Sequence, residues 1–71
     1  MKKSLLRSFM VKFGDTQETL ANAMGISRSR LNAKINSNGA EFTQAEILFI
    51  KQRYDMKPED VDNVFFAVQV T

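Results

Sequence analysis

Seventy-one residues, 44% of them hydrophobic and 25% charged, suit one small globular domain spanning 1–71 and leave no room for a second core. The sequence has no cysteine and no histidine, which excludes disulfides and thiolate metal sites and removes the commonest general base and zinc ligand. Net charge is only +2, yet residues 1–36 carry seven basic against two acidic side chains, whereas 37–71 carry three against six, so a polyanionic partner is expected at the first half.

In chain order, Leu5, Leu6, Phe9, Met10 and Phe13 form one apolar stripe at helical spacing, and Gly14 ends that helix. The opening Met1-Lys2-Lys3 does not lead into a signal peptide, because Arg7 and Lys12 break the apolar run. Nothing approaches the roughly 18 apolar residues of a membrane span, and a cytoplasmic protein without membrane contact is expected. Asp15 has capping-box spacing to Glu18, and Thr16 is an equally good N-cap for a second helix carrying Leu20, Ala21 and Met24 and stopping at Gly25. Ser27 caps a third helix whose apolar stripe is Leu31 and Ile35.

Asn36-Ser37-Asn38-Gly39-Ala40 is loop chemistry. Thr43-Gln44-Ala45-Glu46 is a capping box that opens a fourth helix through Ile47, Leu48, Phe49, Ile50 and Tyr54. Asp55-Met56-Lys57 is a turn, and Pro58 suits the first turn of a short acidic helix carrying Val61, Val64 and Phe65. Its Glu59, Asp60 and Asp62 match the positive end of that helix and lack the loop spacing of a calcium site. Residues 66–71, rich in valine, alternate like a strand; a tail packed on the core and an arm pairing with a second chain both fit. The fold class is therefore all-α, a compact bundle of about five short helices with an optional extended C-terminal arm.

The informative stretch is 16–36, where Gly25-Ile26-Ser27 joins two short helices and small or apolar residues stand wherever the helices touch, the pattern of a helix-turn-helix. On Thr16, Gln17, Leu20, Ala21, Gly25, Ile26, Ser27, Leu31 and Ile35 the sequence resembles the DNA-binding domains of lambdoid phage repressors and Cro proteins, and the resemblance extends over residues 4–65. The loop after the motif departs from common members, having Asn36-Ser37-Asn38-Gly39 where a Glu-Asn-Gly and a proline are frequent. The resemblance implies a small phage or prophage transcription regulator whose third helix reads operator DNA in the major groove. It also implies that Gln17, at the start of the first motif helix, touches the DNA backbone.

Helical geometry selects the same surface. With the buried direction set between Leu31 and Ile35, Ser29, Asn36, Ala33, Arg30 and Asn32 all lie about 80° or more away from it, with Arg28 and Lys34 on the shoulders. Arg28 or Arg30 suits the guanine edge, Asn32 the adenine edge and Ala33 a thymine methyl, with Ser29 beside them. Candidate phosphate contacts are Thr16, Gln17, Lys34, Asn36 and Asn38. Candidate homodimer or partner contacts are Val64, Phe65, Phe66, Val68 and Val70. Two alternatives stay open: that the cations merely solvate an exposed helix, and that the chain is an antirepressor or modulator that binds a cognate phage repressor protein instead of DNA. With no nucleophile–base pair visible, no enzyme and no cofactor are expected.

Overall fold

The computed structural model describes residues 2–36 and 41–66. Five helices follow one another: α1 (Lys3–Lys12), α2 (Gln17–Met24), α3 (Arg28–Ile35), α4 (Gln44–Arg53) and α5 (Pro58–Phe65), and there is no strand among the described residues. None of these helices is long and apolar enough to cross a membrane.

Side-chain hydrogen bonds mark the starts of α2 to α5, whereas α1 begins at Lys2 without one. Thr16 caps α2, its hydroxyl accepting from the Thr19 backbone while its own N–H donates to the Thr19 hydroxyl. The capping box therefore runs from Thr16 to Thr19, not from Asp15 to Glu18. Ser27 caps α3 by accepting from the Arg30 backbone, and Thr43 and Glu46 form the reciprocal box of α4. In α5, Pro58 opens the first turn and the Asp60 carboxylate accepts from the Lys57 N–H at 3.0 Å.

Three helices close with the same paired hydrogen bonds around a left-handed residue. Gly14 (φ 75°) and Gly25 (φ 74°) are the glycines that the sequence places there, and Asp55 (φ 49°) is the third. At this last stop Met56 N–H donates to the Lys51 carbonyl at 2.9 Å and Asp55 N–H to Gln52 at 3.4 Å. Aspartate is among the few side-chain-bearing residues that visit this conformation, and the Met56 that follows is buried in the core.

Every helix contributes to one core: Leu6 and Met10, Leu20 and Ala21, Leu31 and Ile35, Ile50, and Val64, with Tyr54 and Met56 from the α4–α5 turn. α2 packs on α3, and α5 packs on both α1 and α4. The Lys2 N–H donates to the Val64 carbonyl at 2.8 Å, pinning the start of α1 to α5. Val64 is fully buried in this core, so it cannot be a dimer contact; a helix of two turns has few core positions, and Val64 is the buried residue of α5. Phe65 is half-buried with its ring edge-on to Phe42 at 5.4 Å. Phe66, the C-cap of α5, donates its N–H to the Asp62 carbonyl and is 53% exposed. Val68, Val70 and the rest of the arm lie outside the described residues.

Asp15, freed from the cap, ties the α1–α2 turn to the end of α4. Its carboxylate accepts from Arg53 Nε (2.7 Å) and Nη2 (2.9 Å), from the Tyr54 hydroxyl (2.7 Å) and from the Thr19 hydroxyl (2.8 Å). The Arg53 guanidinium holds the Asp15 carboxyl well below the usual range against the opposing effect of burial, with Tyr54 and Thr19 assisting. Burial, then Asp15, pushes the Tyr54 phenol well above its ordinary value. Because the folded carboxyl is the stronger acid, its contribution is complete above the unfolded pKa of about 3.9 and is lost as pH falls through the lower folded value. Asp15→Asn is expected to cost about 1–3 kcal/mol at neutral pH and to flatten the acid limb of a urea-derived stability profile. An unchanged acid limb would show that the network contributes nothing to folding.

Candidate nucleic-acid interface

The α2–α3 pair is set by its turn. Gly25 takes the left-handed conformation, Ile26 N–H bonds back to the Ala21 carbonyl, and half-buried Ile26 roofs the junction. Leu31 and Ile35 then face the core, and Arg28, Ser29, Arg30 and Asn32 are exposed, with Ala33 half-exposed beside them. No acidic residue lies between Ser27 and Asn36, and neither Arg28 nor Arg30 is ion-paired among the described residues. The structure thus leaves four of the five base-reading candidates exposed around α3 and the fifth, Ala33, half-exposed.

Gln17, the first residue of α2, stands against this side: Asn32 Nδ2 donates to Gln17 Oε1 at 3.2 Å. Thr16 is exposed next to it, its hydroxyl engaged in the cap. The capping box takes up the Thr16 and Thr19 N–H groups, which leaves those of Gln17 and Glu18 as the unpaired backbone donors at the start of α2, a favourable place for an anion.

Lys34 is the exception. It is 4% exposed, and its ammonium donates to Glu46 Oε1 at 2.9 Å and to the Glu41 carbonyl at 3.0 Å, above the Phe42 ring. It is therefore not a phosphate contact. The residue sits on the shoulder of α3 where the start of α4 arrives, so its aliphatic stem is covered and its charge is taken up by Glu46. Burial raises the Glu46 pKa, but the Thr43 backbone N–H and the Lys34 ammonium outweigh it and the net shift is downward.

Asn36, the C-cap of α3, is half-buried and spends its amide nitrogen on Asn32, donating at 3.0 Å both to the backbone carbonyl and to Oδ1. Its own Oδ1 accepts from Lys3 Nζ at 3.2 Å. Sequence reasoning missed Lys3 here, because it lies 33 residues away and no local pattern joins the two. Asn38 lies outside the described residues.

The surface therefore offers two free guanidinium forks, a serine hydroxyl and an amide linked to Gln17, on a helix without carboxylates. No protein-family model, no curated protein and no solved structure matches the chain.

Proposed function

We propose that the protein is a small transcription regulator of the Cro type that binds operator DNA as a dimer, with α3 lying in the major groove. The observation that carries this reading is the exposed row Arg28, Ser29, Arg30 and Asn32, without any acidic neighbour on α3 and joined to the start of α2 through Asn32 and Gln17. An arginine fork matches guanine O6 and N7, and an asparagine amide matches adenine N6 and N7. Of the candidate dimer contacts among the described residues Phe66 is the exposed one, and a dimer joined there would offer two α3 helices to the DNA.

Selection from a randomised duplex pool, followed by anisotropy titration of the winning site at several salt concentrations, tests the reading. A sequence preference is expected, with an affinity that falls steeply with salt as phosphates exchange their counterions for protein cations. Absence of binding even at low salt would overturn it. The exposed Leu48 and Phe49 on α4 favour a second reading, docking on a cognate repressor protein, and tight association with such a repressor together with no DNA binding would establish that instead.

Arg28→Ala and Asn32→Ala are each expected to weaken binding to the selected site by about 5- to 150-fold, the discrimination of one good bidentate base contact. Both side chains are exposed, so unfolding free energy should stay within about 0.5 kcal/mol of wild type for Arg28→Ala and within about 1.5 kcal/mol for Asn32→Ala, which loses its bonds to Gln17 and Asn36. A mutant that binds normally removes that residue from the interface.

A further inference from the structure

Resting on the DNA-binding reading, we infer that Lys3 of α1 makes the phosphate contact at the far end of α3, and that Asn36 is a positioning residue that holds the Asn32 amide. The inference starts from a hydrogen-bond chain that crosses the site: Lys3 Nζ to Asn36 Oδ1 (3.2 Å), Asn36 Nδ2 to Asn32 Oδ1 (3.0 Å), and Asn32 Nδ2 to Gln17 Oε1 (3.2 Å).

Donor inventory decides the roles. A phosphate oxygen needs a donor, and the amide nitrogen of Asn36 is already committed to Asn32. Lys3 has three ammonium N–H groups, of which Asn36 takes one, and the side chain is exposed. Electrostatics points the same way. The C-terminal end of α3 presents the negative end of the helix dipole, which repels phosphate, and Lys34, the cation of its last turn, is neutralised inside the protein by Glu46. Lys3 restores a positive charge there. Its place is fixed by the core, since the adjoining Lys2 N–H is bonded to the carbonyl of fully buried Val64.

The middle of the chain acts on specificity. Asn32 Oδ1 faces Asn36 and its Nδ2 faces Gln17, so the plane of the amide and the identity of its two ends are set before DNA arrives. Each end keeps one further hydrogen-bonding position, which is what an adenine edge requires. Asn36 acts on DNA through Asn32 and not by touching it.

The experiment compares the wild type with Lys3→Gln, Lys3→Arg and Asn36→Ala on the selected duplex, on all single base-pair variants of that site and on a scrambled duplex. Lys3→Gln is expected to lower the slope of log K against log salt by about 0.9 per protomer on every duplex, leaving sequence discrimination intact, and Lys3→Arg to restore the slope. Asn36→Ala is expected to keep the wild-type slope and to lose at least 5-fold discrimination at one base pair, the same pair whose discrimination is lost in Asn32→Ala. A wild-type slope in Lys3→Gln, or a reduced slope in Asn36→Ala, overturns the assignment while leaving DNA binding in place. A wild-type protein that binds no duplex overturns the assignment together with the reading beneath it.

Discussion

Leu31→Ala is expected to remove most of the stability of the domain. Leu31 has no exposed surface and lies in the same cluster as Leu20, Ala21 and Ile35, between the two helices of the α2–α3 pair. Truncating such a leucine loses its burial and leaves a cavity that rigid neighbours fill only in part, at a cost of about 2–5 kcal/mol. A domain of this length has about 4–10 kcal/mol to lose. At roughly 4–8 °C per kcal/mol the midpoint should fall by tens of degrees, read as the loss of helical circular dichroism on heating. Leu31→Met, which keeps most of the volume, should cost under about 1.5 kcal/mol. Asn32→Ala, one residue further on, loses only exposed hydrogen bonds and should lower the midpoint far less. The contrast between adjacent positions measures the rotational phase of α3, and a Leu31→Ala protein that melts within a few degrees of wild type would show that the helix faces another way.

That phase was legible because it depends on local rules. Leu31 and Ile35 share a face by helical repeat, Ser27 and Thr43 cap by their own hydroxyls, and Gly25 turns the chain without a side-chain penalty. The five helices and the exposed row of α3 follow from such rules. What escaped depends on residues far apart in sequence. Asp15 looks like a cap because Glu18 stands three residues on, but Arg53 and Tyr54, 38 and 39 residues away, compete for its carboxylate and Thr16 takes over the cap. Asp55 ends α4 in a left-handed backbone where glycine would be expected, a conformation that aspartate tolerates better than most residues, and no glycine in the sequence marks this stop. Val64 looked available for a partner because a short terminal helix gives no sign of what packs over it, whereas α1 and α4 both do. Lys3 was invisible as part of the interface for the same reason: only the packing of α1 on α5 brings it to Asn36.

Lys34 is the most consequential of these, and the expected effect of uncoupling it from Glu46 is large and asymmetric. Its side chain is 3% exposed and that of Glu46 19% exposed, with 2.9 Å between the charges. Glu46→Gln leaves the buried ammonium with two neutral acceptors, the Glu41 carbonyl and the glutamine amide oxygen, in place of a carboxylate, and should cost about 1.5–3 kcal/mol. Lys34→Met is the milder change, about 1–2 kcal/mol. The methionine keeps the apolar stem, and Glu46 retains solvent access and its bond from the Thr43 N–H. The double variant Lys34→Met/Glu46→Gln should recover much of the Glu46→Gln loss, since no charge is then stranded, and a double-mutant cycle by urea denaturation measures that coupling. Glu46 has a lowered folded pKa, so its contribution is complete above the unfolded value of about 4.3 and declines as pH falls through the folded one. Acidification should therefore narrow the gap between wild type and Glu46→Gln. Strict additivity of the two single variants would mean that the pair is not coupled. The same Lys34→Met protein separates the interior role from an interfacial one: a buried ammonium releases no counterion from DNA, so its salt slope should equal that of wild type, whereas a reduced slope would return Lys34 to the phosphate-facing surface.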